Sequence, residues 1–175
     1  MVKGKWSMGN KKKPKIVLSW APHIKPLPQC VANSFAQWIN AWNLSLAAKK
    51  EEGIEFVITH PQGYSLDEQF TSGATITHNQ QEALRDADFV YVKNWSSFDD
   101  YGAMPLLHEN WMLTNEKLSV SNQANIMHCL PVRRNVELSD ELLDGPNSLV
   151  TRQAGNRVWA AQAVIAEILE SPLTP

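Results

Sequence analysis

The sequence is poor in the features that most directly assign a function. Two cysteines, Cys30 and Cys129, are too few for a disulfide framework, and no secretory apolar stretch follows Met1, so a reducing, cytoplasmic setting is expected. The eight glycines never form a GxGxxG turn, and no Walker lysine motif occurs. Hydride transfer on a dinucleotide and nucleoside triphosphate hydrolysis therefore have no support. The five histidines show neither HExxH nor CxxC-type spacing with the cysteines, and neighbours on a strand such as His128 and Cys129 point to opposite sides. No metal and no cofactor are expected. Long apolar runs are missing as well: the most apolar helical stretch, 158–169, is broken by Gln162 and Glu167 and falls short of a membrane span.

Basic charge is scarce outside the first residues. The 16 Lys and Arg face 18 Asp and Glu. Six of those lysines fall within residues 1–15, leaving an acidic body of ten cations against 18 anions. Such a body lacks the basic face that nucleic-acid binding requires. Residues 1–14 read as a Lys-rich leader or linker and 15–175 as one domain. A chain of this length buries roughly 70% of its unfolded surface, and 43% hydrophobic residues suffice for a core.

What is present is an alternation of short apolar runs and helical stretches. Residues 15–20 read as a buried strand ending at Ala21-Pro22-His23, after which Pro22, Pro26 and Pro28 stiffen a loop. Val31, Phe35, Trp38, Ile39 and Trp42 then recur at helical spacing, predicting an apolar stripe against a core. Further strands are expected at 54–59, 74–77, 88–93, 125–130 and 148–151. Helices are expected at 64–70, 80–86 and 111–118, after the capping Ser139, and from Gly155 onward with Val158, Ala161, Ile165 and Ile168 on one face. The pattern predicts an α/β fold, a three-layer doubly wound parallel sheet. Ligands of such sheets bind at the carboxyl ends of the strands, which singles out His23, His60, Lys93, Cys129 and Leu130.

Around Cys129 the company is distinctive. Pro131 follows Leu130, then come Arg133, Arg134 and Asn135, which place a rigid elbow, with an X-Pro bond suited to a cis peptide, beside two guanidinium groups able to bind anions. The run Met127 to Asn135, MHCLPVRRN, resembles the signature of ornithine-type carbamoyltransferases, its N-acylornithine branch in particular. Trp20-Ala21-Pro22-His23 with the prolines up to Asn33-Ser34, Val92-Lys93-Asn94-Trp95 and Ala154-Gly155-Asn156-Arg157 agree in order and spacing. The resemblance covers residues 14–170 and points to the C-terminal, amino-acid-binding half of a two-domain enzyme that works as a trimer.

That resemblance implies transfer of a carbamoyl group from carbamoyl phosphate to the side-chain amine of N-acetyl- or N-succinyl-L-ornithine in arginine biosynthesis. It implies Cys129 and Leu130 at the carbamoyl group and the amine, and Arg157 at carbamoyl phosphate. Lys93 would hold the substrate carboxylate, with Asn33 and Arg133 as further substrate contacts. Glu137 falls where some relatives carry a lysine that becomes carboxylated, while Gly155 replaces an acidic residue common in relatives. The Ser-x-Arg-Thr phosphate loop does not occur in the sequence, and His60-Pro61-Gln62 is only a near match to a His-Pro-x-Gln motif, hence structural. Two classes of function follow: an enzyme half without turnover on its own, or a free-standing or excised binding domain. The family's backbone is knotted, so residues 93–125 are expected to thread the loop 23–33 into a trefoil.

Overall fold

The computed structural model describes residues 13–102 and 110–170. Five strands, β1 Lys15–Trp20, β2 Glu55–Thr59, β3 Thr75–Thr77, β4 Phe89–Lys93 and β5 Asn125–Met127, form one sheet in the order β3-β2-β1-β4-β5. All neighbours pair in parallel, with Trp20 beside Lys93 and Tyr91 beside Met127. The order reverses between β1 and β4, and in open parallel sheets such a switch point is where ligands bind, at the carboxyl ends of the strands.

Both faces of the sheet are covered, which is why its strands are continuous β-branched and aromatic runs rather than polar-apolar alternations. On one face Val17, Val57, Val90, Val92 and Ile126 meet Ala83 and Leu84 of α3 (Gln80–Leu84) and Leu142 of α5 (Asp140–Leu143). Leu18, Trp20, Phe56, Ile58 and Tyr91 on the other face meet Ala32 and Ala36 of α1 (Cys30–Ala48), with Phe70 of α2 (Glu68–Thr71) packed beside them. The remaining helices are α4 (Asn115–Leu118) and α6 (Val150–Glu170). The expected three-layer architecture is therefore present.

Several local expectations are corrected. The stripe predicted for α1 is only half used: Val31, Phe35 and Ile39 pack against the core, while Trp38 and Trp42 are 73% and 59% exposed. The fully buried positions are Ala32 and Ala36, whose small side chains let the helix lie close to the sheet and rotate the tryptophans outward. No strand forms at 148–151. Ile126 exchanges backbone hydrogen bonds with Asn147 and Leu149, and Leu149 then accepts from Gln153 as α6 starts at Val150, well before Gly155. A helix C-terminal to one β-bridge overrides the local β preference of Leu149 and Val150. The helix expected at 111–118 is confined to α4, whose Thr114 side chain accepts from the Lys117 N–H. Ser139 stands at the N-cap of α5 without a capping bond; the Asn135 side chain accepts from the Asp140 N–H instead.

Candidate active site at the carboxyl edge of the sheet

At the switch point the ends of β1 and β4 are tied by buried side chains. Asn94 Nδ2 donates to the Ala21 carbonyl at 2.7 Å and Trp20 Nε1 to the Trp95 carbonyl at 2.8 Å. This stitching fixes Lys93, which is 7% exposed and makes no ion pair among the described residues. A lysine at a strand end commonly snorkels to water; here the chain is held too far inside for that.

One strand over, the chain leaves β5 through the elbow 128–131. Alternation sends His128 inward, fully buried, and leaves Cys129 exposed. Leu130 adopts φ +52°, a left-handed conformation that costs a non-glycine residue about 1–2 kcal/mol, and the Leu130–Pro131 bond is cis, as expected for this elbow. Such left-handed residues persist where their surroundings hold them and cluster at functional positions. Here the surroundings are explicit. The Leu130 N–H donates to His128 Nδ1 at 3.1 Å, so the ring proton lies on Nε2, which donates to Glu137 Oε1 at 3.1 Å. Glu137 Oε2 accepts from the Arg133 N–H at 2.9 Å. Burial alone would push the fully enclosed Glu137 carboxyl upward; the hydrogen bond from His128, the Arg133 N–H and Lys93 outweigh it and hold the carboxyl below its ordinary value.

From the opposite side, Gln153 Oε1 accepts from the His128 N–H at 3.0 Å. Burial first, then Cys129, pushes the pKa of the Tyr91 hydroxyl upward. Neither Tyr91 nor Gln153 was among the residues singled out from sequence. Tyr91 carried one signal, a hydroxyl in an otherwise apolar stretch of strand that has to find a partner; Gln153 carried none.

Other expected site residues occupy varied surroundings. Asn33 lies in the first turn of α1 with its Oδ1 buried and unpartnered. The Arg133 side chain is exposed beside the elbow, whereas Arg134 forks onto Asp140 and Asp144 at 2.7–2.9 Å. Arg157 is exposed on α6, one turn beyond Gln153 and on the same side of that helix. His60 is fully buried, its Nδ1 donating to the Pro61 carbonyl at 2.7 Å and its ring edge-on to His78, in keeping with a structural role. The edge thus gathers Lys93, Cys129 and Leu130, while Arg157 stands one helical turn away from the bond that anchors His128.

Comparison with known proteins decides what kind of edge this is. The family model for the aspartate/ornithine carbamoyltransferase Asp/Orn binding domain matches residues 37–168. The chain belongs to this carbamoyltransferase family. It is 43% identical over 161 residues to the N-succinylornithine carbamoyltransferase of Bacteroides fragilis, covering 91% of this chain and 48% of that protein. With the N-acetylornithine carbamoyltransferase of Xylella fastidiosa it shares 30% identity over 171 residues, covering 88% and 48%. A crystal structure of N-acetyl-L-ornithine transcarbamylase superposes with a TM-score of 0.75 at 29% identity, over 87% of this chain and 49% of that one. A variant complexed with carbamyl phosphate and N-succinyl-L-norvaline does so with a TM-score of 0.75 at 28% identity, over 89% and 49%. The chain spans about half the length of the curated relatives it matches, and the match falls on their C-terminal half.

Proposed function

We propose that this carbamoyltransferase domain binds the N-acylornithine substrate of a transcarbamylase whose other half supplies the carbamoyl-phosphate site. The observation that carries the proposal is the elbow: an exposed thiol and a left-handed Leu130, braced from behind by a buried His128–Glu137 pair and set one strand away from the buried Lys93. Transfer joins an uncharged amine nitrogen to the carbamoyl carbon while the bond to the phosphate oxygen breaks. It needs acceptors that aim the amine, donors for the developing oxyanion and cations for the leaving phosphate. On this reading the Leu130 carbonyl accepts from the amine and the Cys129 thiol lies against the carbamoyl group. Lys93 pairs with the substrate carboxylate, helped by Asn33 and Arg133, and Arg157 meets the phosphate.

The 175-residue chain is expected to have no turnover by itself, because each electrostatic group absent from a transferase site typically costs on the order of 100-fold or more. Assembly into a trimer and a trefoil path, with residues 93–125 threading the loop 23–33, belong to the same reading. Part of that segment, 103–109, lies outside the described residues, and an experimental trace through it decides the path. The binding step is tested by calorimetry with N-acetyl- and N-succinyl-L-ornithine. Lys93→Ala is expected to weaken binding roughly 10-fold or more, the value of a charge-assisted hydrogen bond. Equal affinity of both proteins removes Lys93 from the site, and no binding of either ligand by the parent chain overturns the reading.

A further inference from the structure

The pairing of β1 with β4 does not end with the strands. Beyond Trp20 and Lys93, which stand side by side, the two chains stay zipped together. The Ala21 N–H donates to the Lys93 carbonyl at 3.1 Å, Asn94 Nδ2 to the Ala21 carbonyl and Trp20 Nε1 to the Trp95 carbonyl. The Ser96 N–H then donates to the Leu27 carbonyl at 2.9 Å. Gln29 closes this zipper. Its Nε2 donates to the Ser96 carbonyl at 2.9 Å and to the Ser65 carbonyl at 3.3 Å, so that one amide group ties together the segments that follow β1, β2 and β4. The side chain is 8% exposed and its Oε1 has no partner among the described residues, so here it acts only as a donor. The same residue begins α1: its carbonyl accepts from the Asn33 N–H at 2.9 Å, the first bond of that helix.

An N-cap residue ordinarily turns a short oxygen back onto its own helix, which is why serine, threonine, aspartate and asparagine are preferred there. Gln29 makes no such bond. Its side chain is committed to the neighbouring loops instead. The first turn of α1 is thereby fastened to the strand end that carries Lys93, which is 7% exposed and makes no ion pair among the described residues. Asn33 lies in that first turn, its Oδ1 buried and unpartnered. We propose that Gln29 is a positioning residue, which sets the placement of Asn33 relative to Lys93 by tying the start of α1 to the Ser96 and Ser65 carbonyls. The proposal rests on the transcarbamylase reading for its meaning, because only there do Asn33 and Lys93 meet one substrate.

Two variants of the 175-residue chain separate positioning from stability. Gln29→Ser supplies a short capping oxygen and cannot reach the two carbonyls, whereas Gln29→Met keeps the length of the side chain and has no donor. The cap is expected to leave Gln29→Ser with the higher melting temperature of the two. Both are expected to bind N-acetyl- or N-succinyl-L-ornithine about tenfold more weakly than the parent by calorimetry, the value of one lost hydrogen bond. In a Lys93→Ala background the same substitutions should change affinity by less than about twofold, because the second group to be aligned is gone. Affinity that follows the melting temperature, or an undiminished loss in the Lys93→Ala background, overturns the proposal. Residue-resolved amide hydrogen exchange supplies a readout without substrate. The Ser96 N–H is expected to exchange about tenfold faster in either variant than in the parent, with a smaller change at Val17 and Leu18 of the central strand β1. Acceleration as large in β1 as at Ser96, or none at Ser96, likewise overturns it, and either variant carries this comparison if the other does not fold. Failure of the parent to bind any acylornithine removes the transcarbamylase reading instead, and the exchange pattern then decides by itself whether Gln29 holds the start of α1 in place.

Discussion

The elbow and α6 are neighbours in sequence and opposites in construction. Between His128 and Glu137 the backbone adopts conformations that cost energy, yet nearly every polar group that holds them is supplied from within the domain. α6 has ordinary helical geometry over 21 residues, yet beyond Val150 it buries none of them: Val158, Trp159, Val164, Ile165, Ile168 and Leu169 are 57–79% exposed. The difference teaches where this half carries its own determinants. Geometry at the carboxyl edge of the sheet is set by buried hydrogen bonds inside the chain, whereas the apolar face of α6 gains little from the described residues. A helix without tertiary burial depends on intrinsic propensity, which leaves even 12–15 residues marginal in water.

The sharpest way to break that contrast is to remove the brace. Glu137→Ala leaves the His128 Nε2–H and the Arg133 N–H without an acceptor in a buried site, and each such group costs roughly 1–3 kcal/mol. Urea unfolding is expected to show a loss of about 3 kcal/mol with an unchanged slope. A loss of under about 1 kcal/mol would mean that the pair does not hold the elbow.

A second expectation uses pH, which acts on the buried edge and leaves α6, with only exposed charges, largely alone. Burial lowers the His60 pKa from its ordinary 6.5, the Pro61 carbonyl opposes that, and His78 adds to it. The unfolded chain therefore takes up a proton near pH 6.5 that the folded ring resists. The contribution is fully present above 6.5 and is lost as pH falls toward the folded value. Glu137, with its carboxyl held low, adds a loss only below its ordinary 4.5. Urea midpoints measured between pH 7 and pH 5 should fall for the parent and fall less for His60→Asn, which keeps a donor for the Pro61 carbonyl. Parallel curves for the two proteins would show that His60 is not the source.

Much of this architecture is legible in the sequence, for identifiable reasons. Strand positions are readable because residues buried on both faces leave continuous runs such as Ile16 to Trp20 and Phe89 to Val92. The elbow is legible because His128, Cys129, Leu130 and Pro131 are contiguous, and alternation alone separates the buried imidazole from the exposed thiol. Trp38 and Trp42 misled because helical periodicity locates a stripe but not which of its edges turns toward the sheet, a matter decided by the small Ala32 and Ala36. The start of α6 was displaced because Leu149 and Val150 suit a strand locally, and only tertiary pairing with Ile126 shows that the strand ends after one bridge. Gln153 accepts from the His128 N–H across 25 residues, and a bond across that distance leaves no trace in spacing.

The smallest expected effect sharpens the contrast most, because it asks whether α6 is part of the cooperative unit. Gly155 sits inside that helix, and a Cβ added there meets no atom within 4 Å. Replacing an unhindered glycine by alanine removes backbone freedom from the unfolded chain and stabilises a helix by roughly 0.5–1 kcal/mol. If α6 unfolds together with the sheet through the Gln153 bond to His128, Gly155→Ala should raise the global urea stability by that full amount. If the helix melts on its own beyond its first turn, the variant should gain ellipticity at 222 nm with no change in the urea midpoint followed by tryptophan fluorescence. The single turn anchored by Gln153 against about three further turns of exposed apolar surface favours the second outcome: a midpoint shift within error, with more helix at low denaturant. A matching gain in both signals would show instead that the exposed helix is energetically continuous with the braced edge, and the distinction between the two regions would fall.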